Sequence, residues 1–321
     1  MHRIMKIKYL LLIGMLGLGA GTLQAQQESH YTQFMYNKLY LNPAFAGAEG
    51  FASFVGIYRN QWMGFEGAPV SQLVSFNTPF FGQRVGFGIV LNHDNIGILN
   101  RWNGSLSYSY DLLNRPNASL RIGFQGSAKY YQMDFADPNL IIADPSDPSI
   151  LYNMMTSDVY WNVGAGLHLA VNNFFFGVSA PSLIENVIGY NPNNNVETAA
   201  ESRHYYAMTG FALPVSNNLV MRSSVLGKYV KNAPIDVDIN LSFEFNEKFT
   251  TGLSYRVGGD GAGDSIDVLL FGQLTRMFGL GLAYDYSLSD IMDSSAGSAE
   301  ALVRIDLVKG SDNLKNPRFF Y

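Results

Sequence analysis

Between residues 235 and 245 the chain reads IDVDINLSFEF, with apolar and polar side chains in strict alternation. Ile235, Val237, Ile239, Leu241, Phe243 and Phe245 fall on one side, and Asp236, Asp238, Asn240, Ser242 and Glu244 on the other. A period of two over that length predicts a β-strand, and Asn246-Glu247 then predicts a short turn into the next one. The same rhythm recurs at 101–111, where Trp102, Leu106, Tyr108 and Tyr110 oppose Arg101, Asp111 and a row of Ser and Asn, and at 119–131, 159–171 and 299–308. Further candidate strands are 51–59, 70–78, 84–92, 174–180, 204–213, 219–231, 249–256, 265–274 and 278–287, about fourteen in all. Of these, 219–231 alternates poorly. An even number of strands suits a bacterial outer-membrane barrel.

The links carry a second regularity. Every other one is short (79–83, 172–173, 214–218, 246–247), while several between them are long (132–158, 182–203, 288–298). Outer-membrane barrels join their strands by short periplasmic turns and longer outer loops. The expected fold is therefore all-β: a transmembrane antiparallel β-barrel of about fourteen strands over 51–308, with both chain ends periplasmic. Residues 26–50 form a periplasmic or plug segment, and 309–321 a periplasmic tail.

A soluble β-sandwich also alternates, with its apolar face inward. Three features favour lipid outside instead. Trp102, Tyr110, Tyr130 and Trp161 stand near strand ends, as an interfacial girdle requires; the polar face is mild, as suits a crowded lumen; and the strands are long enough for a tilted crossing of roughly 30 Å of hydrocarbon. A charge facing lipid at mid-depth costs up to about 2–4 kcal/mol, less for Asp and Glu. Asp236, Asp238, Glu244, Arg304 and Asp306 are therefore expected to face the lumen.

Composition narrows the setting. The 321 residues are 47% hydrophobic, 14% aromatic and only 15% charged, with a net charge of −5 and no Cys. Soluble domains carry about 25% charged residues, and nucleic-acid binding calls for basic patches that this charge does not supply. The start MHRIMKIK, the apolar run YLLLIGMLGLGAG and Ala25 read as a removable secretory signal over 1–25. Without Cys there is neither a lipoprotein anchor nor a disulfide framework. No later stretch reaches the 18 continuous apolar residues of a spanning helix.

Particular words in the chain are more specific: QESHYTQFMYNKLYLNPAFAGAEG at 27–50, VGIYRNQWMGFEGAP at 55–69, LGKYVKNAPIDVDIN at 226–240, LGLAYDYSLSDI at 280–291, SAGSAE at 295–300 and NPRFFY at 316–321. In this order they resemble the PorP/SprF family of outer-membrane proteins of the type IX secretion system of Bacteroidetes. The blocks cover Asn42, Pro43, Arg59, Gln61, Trp62, Phe65, Lys228, Tyr229, Asp238, Tyr284, Asp285, Tyr286 and Glu300, which become candidate partner-contact or family-motif residues, with Arg318 in the closing NPRFFY. The resemblance implies a non-enzymatic component, without cofactor or metal, that serves export or surface attachment of a secreted partner. That partner is often a large adhesin with a C-terminal signal domain. The resemblance also implies links to periplasmic and outer-membrane secretion components and to gliding motility.

Each candidate has a plainer reading. The block 59–69 is expected on the first outer loop, where Arg59, Gln61, Trp62 and Phe65 form a contact or a constriction, or where Trp62 and Phe65 simply pack in the barrel mouth. NPAFAG at 42–47 offers a Pro-initiated turn; the segment containing it plugs the lumen or binds a periplasmic partner. GGDGAGD at 258–264 and DPSDP at 144–148 read as loops before they read as cation sites, and the five histidines lack metal-ligand spacing. No phosphate loop or paired acid and base is legible. The rival function is an outer-membrane channel or transporter for small or hydrophobic solutes.

Overall fold

The computed structural model describes residues 28–137, 140, 155–191, 196–258 and 264–307. The signal reading at 1–25, the loop DPSDP, the centre of GGDGAGD and the closing NPRFFY with Arg318 lie outside them. The described strands are β1 (Ala52–Asn60), β2 (Val70–Phe80), β3 (Val85–Ile96), β4 (Leu99–Asp111), β5 (Ala118–Asp134), β6 (Met155–Val171), β7 (Phe174–Ala180), β8 (Val187–Asn191), β9 (Val196–Ala200), β10 (His204–Ser216), β11 (Leu219–Val230), β12 (Asp236–Phe245), β13 (Phe249–Val257), β14 (Ser265–Gln273), β15 (Phe278–Ser287) and β16 (Ser298–Leu307). Fourteen of them close into an antiparallel barrel in which each pairs with its neighbours in sequence, β7 meets β10, and β1 meets β16. Closure leaves no wall strand with a bare edge, which hydrocarbon would penalise by several kcal/mol for each unpaired group.

Alternation sorts side chains as the pattern demands. Along β12, Asp238, Asn240, Ser242 and Glu244 are buried inside, whereas Ile239, Leu241 and Phe245 are exposed outside. Trp102 and Trp161 also stand outside, exposed by 52% and 73%. The turn after β12 holds both Asn246 and Glu247 at positive φ, 51° and 57°. Such φ values suit a two-residue hairpin because the turn then twists with its strands.

Two features depart from the linear reading. The long link 182–203 contains a hairpin of its own, β8 against β9, in the register Val187↔Ala200. Its polar, Asn-rich sequence, NVIGYNPNNNVETAA, carries no alternation to announce it. The interior, in addition, is apolar in places: Val55, Ile57, Leu73, Val90, Leu226 and Leu302 all point inward and are buried. They explain the irregular β11, in which Leu226 faces the bore while Ser223 and Gly227 face out.

What those inward residues touch is the chain's own beginning. Residues 31–47 lie buried inside the barrel as three short 3-10 turns, Phe34–Tyr36, Lys38–Tyr40 and Pro43–Phe45. Asn42 caps the third by accepting from the Ala44 N–H at 2.9 Å, and Pro43 pre-sets the backbone of its first residue. Phe34, Met35, Leu39 and Phe45 form one apolar cluster with the inward wall residues. Tyr36 stacks on Phe271, with ring centroids 4.4 Å apart.

Glycines in the wall make room for this segment. A Cβ on Gly86 would collide with the Ala46 carbonyl, and one on Gly123 with the backbone of Pro43 and Ala44. Because the obstacle is backbone rather than a flexible side chain, Gly86→Val is expected to destabilise the folded barrel by about 1–3 kcal/mol, the usual cost of overpacking. Gly126 faces outward with nothing within 4 Å of an added Cβ, so Gly126→Val is the neutral control. The temperature at which the folded band is lost on semi-native gels measures both.

Among the described residues, the two ends of this stretch lie at opposite ends of the bore. The strand ends at Ala52, Phe80 and Val85, and the last described residue, Leu307, lie at the short-turn end. There Gly47 N–H donates to Asn77 Oδ1 at 2.5 Å, and Arg304 pairs with Glu49 at 2.7 Å. Glu28 sits at the other end, paired with Lys129 at 2.9 Å and, through that lysine, joined to Glu201 in the β9–β10 link. The segment therefore runs the length of the bore. Buried polar residues at the long-link end hold its start there.

Candidate functional site: the occupied lumen

Inward parity brings charged residues from separate strands to one level of the bore. Arg59 on β1 reaches Asp285 on β15 at 2.6 Å and Glu300 on β16 at 3.3 Å. Arg256 on β13 pairs with Asp238 on β12 at 2.5 Å and comes within 3.8 Å of Asp285 and 4.0 Å of Asp267 on β14. Lys228 on β11 completes the set, 2.7 Å from Asp238. Each of these side chains is at least nine-tenths buried. Burial of charge on this scale survives only when each group is paired and hydrogen-bonded.

The bore segment supplies further partners to Asp285 and Glu300. Thr32 Oγ1 donates to Asp285 at 2.7 Å, and its N–H and that of Gln33 each donate to Glu300 at 2.9 Å. Arg59 Nη1 donates to Thr32 Oγ1 at 2.9 Å, and His30 Nδ1 lies 3.1 Å from Lys228 Nζ. This part of the wall is a receptor for Glu28 to Gln33.

Two further polar groups grip the segment's start. Arg101 pairs with Asp94 at 2.7 Å, and Asp94 in turn accepts from Ser71 at 2.6 Å and from Ser29. Tyr206 donates its hydroxyl to Glu28 at 2.9 Å. At the far end, Ser109 donates to the Ala46 carbonyl at 2.6 Å, Asn42 Nδ2 donates to the Leu167 carbonyl at 3.0 Å, and Arg304 donates to the Tyr36 carbonyl at 3.1 Å.

The candidates named from sequence divide by parity. Arg59, Lys228, Asp238, Asp285 and Glu300 converge in the ionic cluster, with Asn42 and Pro43 lower in the bore segment. Tyr229, Tyr284 and Tyr286 alternate with them and stand outside, exposed by 46%, 42% and 50%. Glu244 faces Arg222 at 3.2 Å, Asp306 accepts from Arg304 at 2.8 Å, and Asp236 begins β12 at the long-link end.

The block at 59–69 is split. Arg59 lies on β1 inside the barrel and not on the first outer loop, because its position keeps the inward parity of Val55 and Ile57. Gln61, Trp62 and Phe65 do lie on the link after β1. There Gln61 N–H donates to the Pro69 carbonyl at 2.9 Å, Trp62 takes φ 50° and donates its N–H to Ser298 at 3.1 Å, and Phe65 is 46% exposed.

Sequence reading missed Arg256 and Asp267, although LSYRV and SIDV place both on the inward parity of their strands. It also missed Thr32 and Glu28, for which a segment without periodicity gives no such signal.

Among solved structures the barrel is similar to the outer-membrane protein Omp33 of Acinetobacter baumannii, at 8% identity and TM-score 0.46 over 80% of this chain and 97% of that one. It is also similar to a FadL homologue of Pseudomonas aeruginosa, at 11% identity and TM-score 0.42 over 88% and 95%. A variant of the monoaromatic hydrocarbon channel TodX matches at 9% identity and TM-score 0.43 over 86% and 93%. No curated protein matches the sequence. Residues 23–305 match the model of a family described as type IX secretion system membrane protein PorP/SprF. That match spans nearly the whole barrel and the segment inside it, and the chain belongs to the PorP/SprF family.

Proposed function

We propose that this type IX secretion membrane component is non-enzymatic and retains a secreted partner at the outer membrane. The partner is a large adhesin with a C-terminal signal domain, engaged by the long-link end, while the short-turn end meets the periplasmic machinery. In this reading residues 1–25 are removed on export, the long-link end is extracellular, and 309–321 with Arg318 stay periplasmic. The observation that carries it is the occupied lumen. A bore filled by residues 31–47, which Glu28 and Glu49 flank with ion pairs to Lys129 and Arg304, is built to be held rather than to pass solutes, which weighs against a diffusion channel.

Deletion of the gene in its native host tests this. The expected result is loss of one adhesin from the cell surface while other cargo of the same system is still exported, together with recovery of that adhesin's signal domain on the purified barrel. Unchanged surface display of every exported protein, with steady channel currents from the wild-type barrel, would overturn it.

A further inference from the structure

We infer that the bore segment starts at the extracellular mouth of the barrel, with Glu28 on the opposite side of the membrane from Leu307, so that its amino end is presented to the exported partner and not to periplasmic components. The inference rests on the extracellular placement of the long-link end proposed above. Its geometric content is independent of that placement.

The wall contacts of the bore segment rise toward its start. Glu49 pairs with Arg304 near the short-turn end of β16, and Gly47 with Asn77 near the end of β2. Asn37 accepts from Ser75 at 3.1 Å midway along β2. Thr32 meets Asp285, two residues from the long-link end of β15, and His30 meets Lys228, two residues from the same end of β11. Glu28 meets Lys129 and, with it, Glu201, which already belongs to the link between β9 and β10.

The fourteen wall strands bring the chain back to the side on which β1 began. The bore segment adds one more pass and puts Glu28 and Leu307 on opposite sides.

The fixing contacts change in kind along the segment. Glu28 and Ser29 are held by ion pairs and hydroxyls at the mouth, whereas Phe34, Met35 and Leu39 below them are held by dry apolar packing. The amino end is thus the part of the bore segment held by polar contacts and the part nearest the cargo.

Single cysteines at Gln27, Ala233 and Asn217 in the full chain, probed on intact cells with a membrane-impermeant maleimide, test the inference. Ala233 lies in the β11–β12 link and Asn217 in the β10–β11 turn. Labelling of Gln27→Cys and Ala233→Cys with Asn217→Cys silent until the outer membrane is permeabilised is the expected result. Gln27→Cys silent while Ala233→Cys labels would overturn the inference and leave the orientation standing. Asn217→Cys labelling while Ala233→Cys stays silent would overturn the orientation reading, and with it the outward amino end. An epitope inserted between Gln26 and Gln27, probed with antibody on whole cells, decides the same point should a thiol at Gln27 be unreactive even in permeabilised cells: staining supports the inference, and its absence from cells that display the barrel overturns it.

Discussion

Deleting residues 31–46 is expected to turn a barrel that is silent in planar bilayers into a steadily conducting one. These residues fill the bore as three short turns, while the hydrogen-bonded wall around them closes on itself through β1 and β16. The wall keeps its ladder when the segment goes, but Leu73, Val90, Leu226 and Leu302 lose their apolar cover. Each such side chain forfeits up to about 1.5–3 kcal/mol of burial, so the deletion variant should also lose its folded gel band at a lower temperature. Gly123→Leu gives the same opening without shortening the chain, because the new side chain would occupy the place of the Ala44 backbone. A silent deletion variant that migrates as a folded barrel would show that the wall itself closes the bore.

The second large effect is expected at Arg59. Its guanidinium lies between Asp285 at 2.6 Å and Glu300 at 3.3 Å, and it also donates to Thr32. Arg59→Met fills similar space but strands two buried carboxylates, and breaking a buried pair in this way costs about 3–5 kcal/mol. The double variant Arg59→Met with Glu300→Gln should recover part of that loss, since contacting residues couple by about 0.5–3 kcal/mol. Arg203, which meets Glu185 at 3.6 Å on the exposed surface, is the contrast: Arg203→Met should change stability by no more than about 1 kcal/mol. Urea midpoints in detergent would separate the two cases, and equal shifts at Arg59 and Arg203 would rule out the interior cluster as a stabilising unit.

How much of this was legible depended on whether a residue sat in a repeating pattern. Strand positions were readable because one-residue slips move the whole apolar set to the wrong face, which is why Asp238, Glu244, Arg304 and Asp306 could be assigned to the interior from alternation alone. The same rule reaches Arg59, the last residue of the candidate strand 51–59; only the block 59–69 sets it on a loop, although β1 continues to Asn60. The irregular β11 was a signal read as noise: Leu226 breaks the pattern because it faces the apolar Phe34 end of the bore segment and not water. Nothing periodic marks residues 28–47, whose form is set by contacts with strands up to 268 residues away, such as Thr32 with Glu300. The β8–β9 hairpin was hidden for a different reason, since its strands are five residues each and carry no continuous apolar face.

The covalent link between the bore segment and β1 bears on reversibility. If an outside force drew the segment outward, its root at Ala48 to Phe51 would remain fixed to β1. Some twenty residues, at about 3.3 Å each when extended, would still cross roughly 30 Å of hydrocarbon. The withdrawn stretch would therefore stay leashed beside its own receptor at a local concentration in the millimolar range. Reseating would then compete continually with whatever had pulled it free, so capture of a partner by this route would be a balance between two tethered states and not a single irreversible opening.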